Sequence, residues 1–191
     1  MKGVKRVVIA IACLSIVGLL VLSRNFEFHK EFERPGTVLI PDSIYDFARQ
    51  YISSSSATGV SRECAKVTCK LLTFSFDQDV LFDNKVSRAH CVTYARLCAT
   101  LCNTFYKELG IDAEAIPVAG RVTVCGVDIH KILTFLVPKE QRHNFVNHDM
   151  VEIRSNGETV WFIDPSEREF FGIERVYRVS GEKTEAKCEL Y

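Results

Sequence analysis

Gly110 constrains this chain more than any other residue, because the hydrophobic pattern changes period there. Upstream, Cys91, Tyr94, Ala95, Cys98, Leu101, Cys102, Phe105 and Leu109 recur at i, i+3/i+4, the spacing of one buried helix face. Gly110 follows that stripe directly, and glycine closes helices because it enters the left-handed region without a Cβ penalty. Ser87 is a reasonable N-cap, so the pattern predicts a helix between the two. Downstream, "DAEAIPVAGRVTVCGVDI" and "HKILTFLVP" are rich in Val, Ile and Leu and predict strands. "NHDMVEIRSNGETVWFIDPS" then reads as a hairpin, two β-prone runs around Ser155-Asn156-Gly157. Two more helices are expected before Ser87. One lies in "PDSIYDFARQYISSSS", with Asp42 or Ser43 as N-cap, and one starts at Ser61 with Cys64, Val67, Leu71 and Leu72 on its buried face. Asp77 to Lys85 is expected to be loop. Helices first and an antiparallel sheet afterwards imply an α+β domain.

The 191 residues, 47% of them hydrophobic, suffice for one domain with its own core. Val7 to Ser23 is an uncharged run of seventeen residues behind Lys2, Lys5 and Arg6, and Arg24 closes it. That length is the low end for a membrane span and slightly long for a signal-peptide core. The expectation is residues 1–24 as a membrane anchor or signal segment, 25–40 as a linker and 41–191 as the folded domain. Basic residues ahead of the apolar run keep that end cytoplasmic. The domain is then expected on the extracytoplasmic side, tethered to the membrane, or secreted or periplasmic if the segment is cleaved. Beyond residue 24 the chain has 20 Lys+Arg against 24 Asp+Glu. Such a balance lacks the basic footprint of a nucleic-acid binder, so no nucleic-acid partner is expected.

Of eight cysteines, Cys13 lies in the apolar run. The remaining seven are an odd number, which leaves at least one thiol without an intramolecular partner. There is no C-x-x-C, and Cys98/Cys102 has no matching His pair, so no metal site or cofactor is expected. A thiol becomes a nucleophile only as thiolate, which a helix N-terminus and a neighbouring imidazolium both stabilise. Cys91 is the one cysteine at a helix start. Cys98 and Cys102 lie deeper on the stripe, where burial favours the neutral thiol.

The hairpin carries a histidine and a carboxylate that could serve Cys91. A three-residue loop Ser155-Asn156-Gly157 would pair Arg154 with Glu158 and set His148 directly opposite Asp164, their Cβ atoms about 5 Å apart. A two-residue Asn156-Gly157 loop would instead pair Asp149 with Asp164 and turn His148 to the other face. Both registers are open, because both faces carry apolar residues. His90, His130 and His143 are rival bases, and Asn84 or Gln78 could donate to an oxyanion. Asp164 precedes Pro165, a pairing that also starts turns.

The ordered set of a helix-initial Cys91, Tyr94 three residues on, "LGIDAEAIPVAG", "NHDMVEI" and "VWFIDPS" resembles the transglutaminase-like cysteine superfamily, over about Tyr45 to Ser166. The resemblance implies a papain-like core, with Cys91 as nucleophile, His148 as general base and Asp164 as the orienting carboxylate. It implies acyl transfer through a thioester on a peptide or protein substrate, either peptide or amide hydrolysis or transamidation. The chain departs from the pattern where Asp149 and Met150 follow His148, in place of a small residue and then Trp. His90 also stands where a small or polar residue often precedes the cysteine. Those departures admit a second expectation, a catalytically inactive transglutaminase-like binding module at the cell surface. A third is a disulfide-stabilised domain with Cys91 bridged.

Overall fold

The computed structural model describes residues 26–34, 36–75, 87–124, 126–128, 131, 147–166, 175–179 and 185–190. The expected N-terminal anchor, the Asp77–Lys85 loop, His130, His143, Asn84, Gln78 and all of "HKILTFLVP" except Lys131 lie outside the described residues. Among the described residues no helix is long and apolar enough to cross a membrane.

Among the described residues, three helices pack on one side of an antiparallel sheet, so the domain is α+β. The helices are α1 (Asp42–Arg49), α2 (Ala57–Leu71) and α3 (Cys91–Leu109). The sheet is built from β1 (Phe26–Glu33), β4 (Glu114–Val124), β5 (Val127–Asp128), β6 (His148–Ser155), β7 (Glu158–Ile163), β8 (Arg175–Val179) and β9 (Glu185–Leu190). A separate parallel pair joins β2 (Leu72–Phe74) to β3 (Ser87–Ala89). The large sheet runs β1-β9-β8-β7-β6-β4-β5, and β1 also pairs with β4. That second pairing curls the sheet until β1 bridges β9 and β4.

Residues 25–40, expected as a linker, therefore supply a structural strand. Phe28 is fully buried in the curl, and its ring lies 5.0 Å from that of Phe162 on β7, a strand it does not neighbour. Val118, Val122 and Met150 complete this inner cluster. The alternation of "FEFHKEFE" escapes a strand reading because its outward positions are charged and its inward positions include Lys30. The lysine is accommodated because Glu152, only 1% exposed, accepts from Lys30 Nζ at 2.6 Å and from Arg154 Nε at 3.1 Å. Thr159 Oγ1 also donates to Glu152. A buried charge is tolerable only when paired and hydrogen-bonded in this way.

The opposite face of the sheet (Ala115, Val151, Ile153, Ile163) shares one core with the helices, centred on Tyr94, Leu97, Leu101 and Phe105. Asn103 pins α3 to β4 by acting as a false strand: its amide donates to Ala115 O at 2.8 Å and accepts from Ala115 N at 2.7 Å. Gly110 closes α3 with φ 65°, as its position in the pattern predicts.

Helix starts differ from expectation. The N-cap of α1 is Pro41 rather than Asp42 or Ser43. α2 begins at Ala57 rather than Ser61, because Ser56 accepts from Gly59 N and caps the helix four residues earlier. Ser87 does not cap α3: it belongs to β3, and His90 is the N-cap. The helix is thus shorter at its start, which moves Cys91 to its first position.

Candidate functional site

Position one of α3 is fixed by the two residues that precede it. β3 leads into it, and its residue Ala89 is 1% exposed and accepts from Ser75 N through its carbonyl. His90 Nδ1 accepts from Val92 N at 3.2 Å and satisfies one of the helix's orphan donors. The backbone N–H of Cys91 itself belongs to that orphan set, beside a helix terminus worth roughly half a positive charge. The Cys91 side chain is half-buried.

The hairpin supplies the partners in a register that neither simple loop gives. Asn156 and Gly157 both have positive φ, 55° and 79°, so the turn is the two-residue kind. It pairs Ser155 with Glu158 and Arg154 with Thr159, not Arg154 with Glu158. The ladder then shifts: Ile153 pairs with Trp161 and Val151 with Ile163, leaving Val160 as an extra residue on β7. This bulge restores the alternation that the two-residue turn had inverted. His148 and Asp164 consequently share a face as diagonal rather than direct neighbours, within reach of one another. His148 Nε2 and Asp164 Oδ2 are hydrogen-bonded.

Asp164 is 3% exposed, and its second oxygen accepts from Ser166 N at 2.8 Å and Ser166 Oγ at 2.7 Å. The Asp-Pro-Ser turn and the histidine contact are therefore compatible uses of one carboxylate: Oδ1 caps the turn and Oδ2 faces the ring. Cys69 Sγ on α2 donates to Pro165 O at 2.7 Å and ties the same turn to the helical layer.

With His148 Nε2 engaged by Asp164, this imidazole and that of His90 both act on the Cys91 thiol. Burial pushes the Cys91 thiol up, but hydrogen bonds from His148 and His90 and the His148 charge outweigh it, so the thiol lies below its ordinary range. Burial pushes His148 down, yet the charge and hydrogen bond of Asp164 and the contact with Cys91 hold it well above the usual imidazole range. Asp164 is lowered, burial being overcome by His148 and Ser166. A low thiol beside a high imidazole is the pattern of a thiolate–imidazolium pair.

The other cysteines contrast. Cys98 is raised by its hydrogen bond to Cys102 and by burial, Cys102 and Cys64 chiefly by burial, and all three are fully buried. They pack between α2 and α3, as the stripe on α3 implies for its own two. Cys64, Cys69, Cys91, Cys98 and Cys102 are free thiols, so Cys91 is not bridged. Among the described residues no group of three or more His, Cys, Asp or Glu is placed to hold a metal ion.

Two contacts lie outside the sequence reading. Asp149, on the helix-facing side of β6 and 1% exposed, has Oδ2 3.5 Å from Cys91 Sγ, within reach of the thiol proton. Its Oδ1 accepts from Arg34 Nε, at the end of β1. Asp149 is visible in sequence only as a departure from a pattern. Arg34 carries no signal at all, because its part in the site depends on β1 docking beside β4, where Arg34 N donates to Pro117 O at 2.8 Å. No protein-family model, curated protein or solved structure matches this chain.

Proposed function

We propose that this chain is a thiol-dependent acyl-transfer enzyme of the transglutaminase-like, papain-like kind, with Cys91 as nucleophile, His148 as general base and Asp164 as the carboxylate that orients the imidazole. One observation carries the reading: a cysteine at the first position of a helix has its thiol lowered by a histidine whose Nε2 is held by a buried, doubly anchored aspartate.

In this mechanism His148 holds the thiol proton, and the Cys91 thiolate attacks a carboxamide or peptide carbonyl. The carbonyl π electrons move to oxygen, where the Cys91 backbone N–H at the helix terminus stabilises the oxyanion. As the tetrahedral adduct collapses, the C–N bond breaks and His148 gives its proton to the departing nitrogen, leaving a thioester. Water or an amine then attacks the thioester, with His148 taking its proton, and the thiolate departs. The substrate is a peptide or protein, and the domain acts at the extracytoplasmic side of a membrane through its N-terminal segment.

Iodoacetamide labelling of the full-length native chain, read by peptide mass spectrometry, tests the nucleophile. Cys91 is expected to label at neutral pH at least tenfold faster than Cys98, and His148→Ala to abolish that preference. Equal rates at Cys91 and Cys98 would leave the inactive binding module as the better reading.

A further inference from the structure

Asp149 is a charged group at the candidate site that the acyl-transfer mechanism does not use, and its position is costly for that mechanism. Its carboxylate is 1% exposed and points an oxygen at the sulfur from 3.5 Å. Among the described residues that oxygen accepts no side-chain hydrogen bond other than the thiol's. Once Cys91 is a thiolate, two anions face each other in a poorly solvated space, which disfavours the charged sulfur. The opposing charges are few. His148 on β6 and His90 at the helix cap both favour the charged sulfur, and Asp164 acts on it through His148. Arg34, reaching in from the end of β1, is the cation on Asp149 itself, its Nε bonded to Oδ1 and its side chain 30% exposed.

We propose that Arg34 is a positioning residue for the Cys91 nucleophile: by engaging Oδ1 it tempers the negative charge that Asp149 presents to the sulfur and so permits the thiolate. Asp149 is then the group that opposes the thiolate and Arg34 the group that releases it, which makes the N-terminal strand part of the site's chemistry. This rests on Cys91 being the nucleophile.

The test is the pH profile of iodoacetamide labelling at Cys91 in the full-length chain, with circular dichroism reporting the fold. Arg34→Gln is expected to move the labelling midpoint up by about one pH unit, a roughly tenfold loss of rate well below the midpoint. Arg34→Lys keeps the charge and is expected to stay close to the parent. Asp149→Asn is expected to move the midpoint down, and adding Arg34→Gln to Asp149→Asn is expected to change nothing further. That last result separates an electrostatic role from a structural one.

A folded Arg34→Gln with the parent's midpoint overturns the proposal. So does an Arg34→Gln shift of equal size with and without Asp149. If Arg34→Gln fails to fold, an Asp149→Asn midpoint that does not fall overturns it instead. A parent chain whose Cys91 labels no faster than Cys98 overturns the nucleophile reading and this proposal together, whereas a reactive Cys91 with an unmoved Arg34→Gln midpoint overturns this proposal alone.

Discussion

Asp164→Asn isolates what the buried carboxylate does. The change keeps the side chain's shape and leaves Oδ1 able to accept from Ser166 N and Ser166 Oγ, so the turn at Pro165 is preserved. It removes the negative charge facing His148 Nε2. Burial already disfavours the imidazolium, and the charge and hydrogen bond of Asp164 are the largest effects holding His148 protonated. A hydrogen bond to a charged group is worth about 1.5–3 kcal/mol. Losing that much from the imidazolium form lowers the population of the thiolate–imidazolium pair by roughly tenfold to a hundredfold, at 1.4 kcal/mol per factor of ten. Iodoacetamide labelling of Cys91 at neutral pH is expected to slow by that factor. Titration of the His148 ring by NMR is expected to show its protonation moving to lower pH. An Asp164→Asn protein whose His148 titrates where the parent's does, while remaining folded, would refute the assignment of Asp164 as the orienting charge.

The same pair predicts a pH window for stability. His148 is raised above 6.5, so its contribution is complete below that value and lost as pH climbs through the folded pKa. Asp164 is lowered from 3.8, so its contribution is complete above that value and lost as pH falls through the folded pKa. The stability difference between the parent and Asp164→Asn should therefore peak between about pH 4 and 6.5 in urea titrations and shrink on either side. Glu152→Ala strands Lys30 and Arg154. Breaking a buried pair costs about 3–5 kcal/mol, and the low end is expected because Glu33 still accepts from Lys30 and Arg154 and both cations keep some solvent. Glu152→Gln should lose less by the same denaturation assay. Gly120→Ala would set a Cβ 2.3 Å from His29 O and 2.6 Å from the Phe28 ring. Because the first contact is backbone, β1 must shift, and a loss of about 2–3 kcal/mol is expected, seen as a Tm lower by several degrees.

The helical half was legible because its local signals agree with its packing. The stripe from Cys91 to Leu109 and the closing Gly110 both report burial on one helix face, and one interface satisfies them. β1 was not legible, because a strand that curls against two neighbours needs no continuous apolar run. Its Lys30 looks solvated until Glu152 comes from β6, more than a hundred residues away. Helix caps lie a few residues from where local sequence puts them for a related reason: Ser87 is an acceptable cap in isolation, but pairing with β2 draws it into a strand and hands the cap to His90.

The hairpin shows most plainly where sequence reasoning stops. Turn chemistry alone favours Asn-Gly as a two-residue loop, and that loop by itself separates His148 from Asp164. Side-chain chemistry favours His148 beside Asp164, and in an unbroken ladder that requires a longer loop. Both hold at once because Val160 is inserted into β7, one residue that no composition or periodicity rule singles out. The bulge does more than correct the register. It turns Asp164 to the alternation of His148, while Asp149 stays with Val151 and Ile153 on the helix-facing side, where it meets Cys91. The acid beside the sulfur and the acid behind the histidine thus have separate origins, and the chain needs Arg34 for the first as it needs Ser166 for the second.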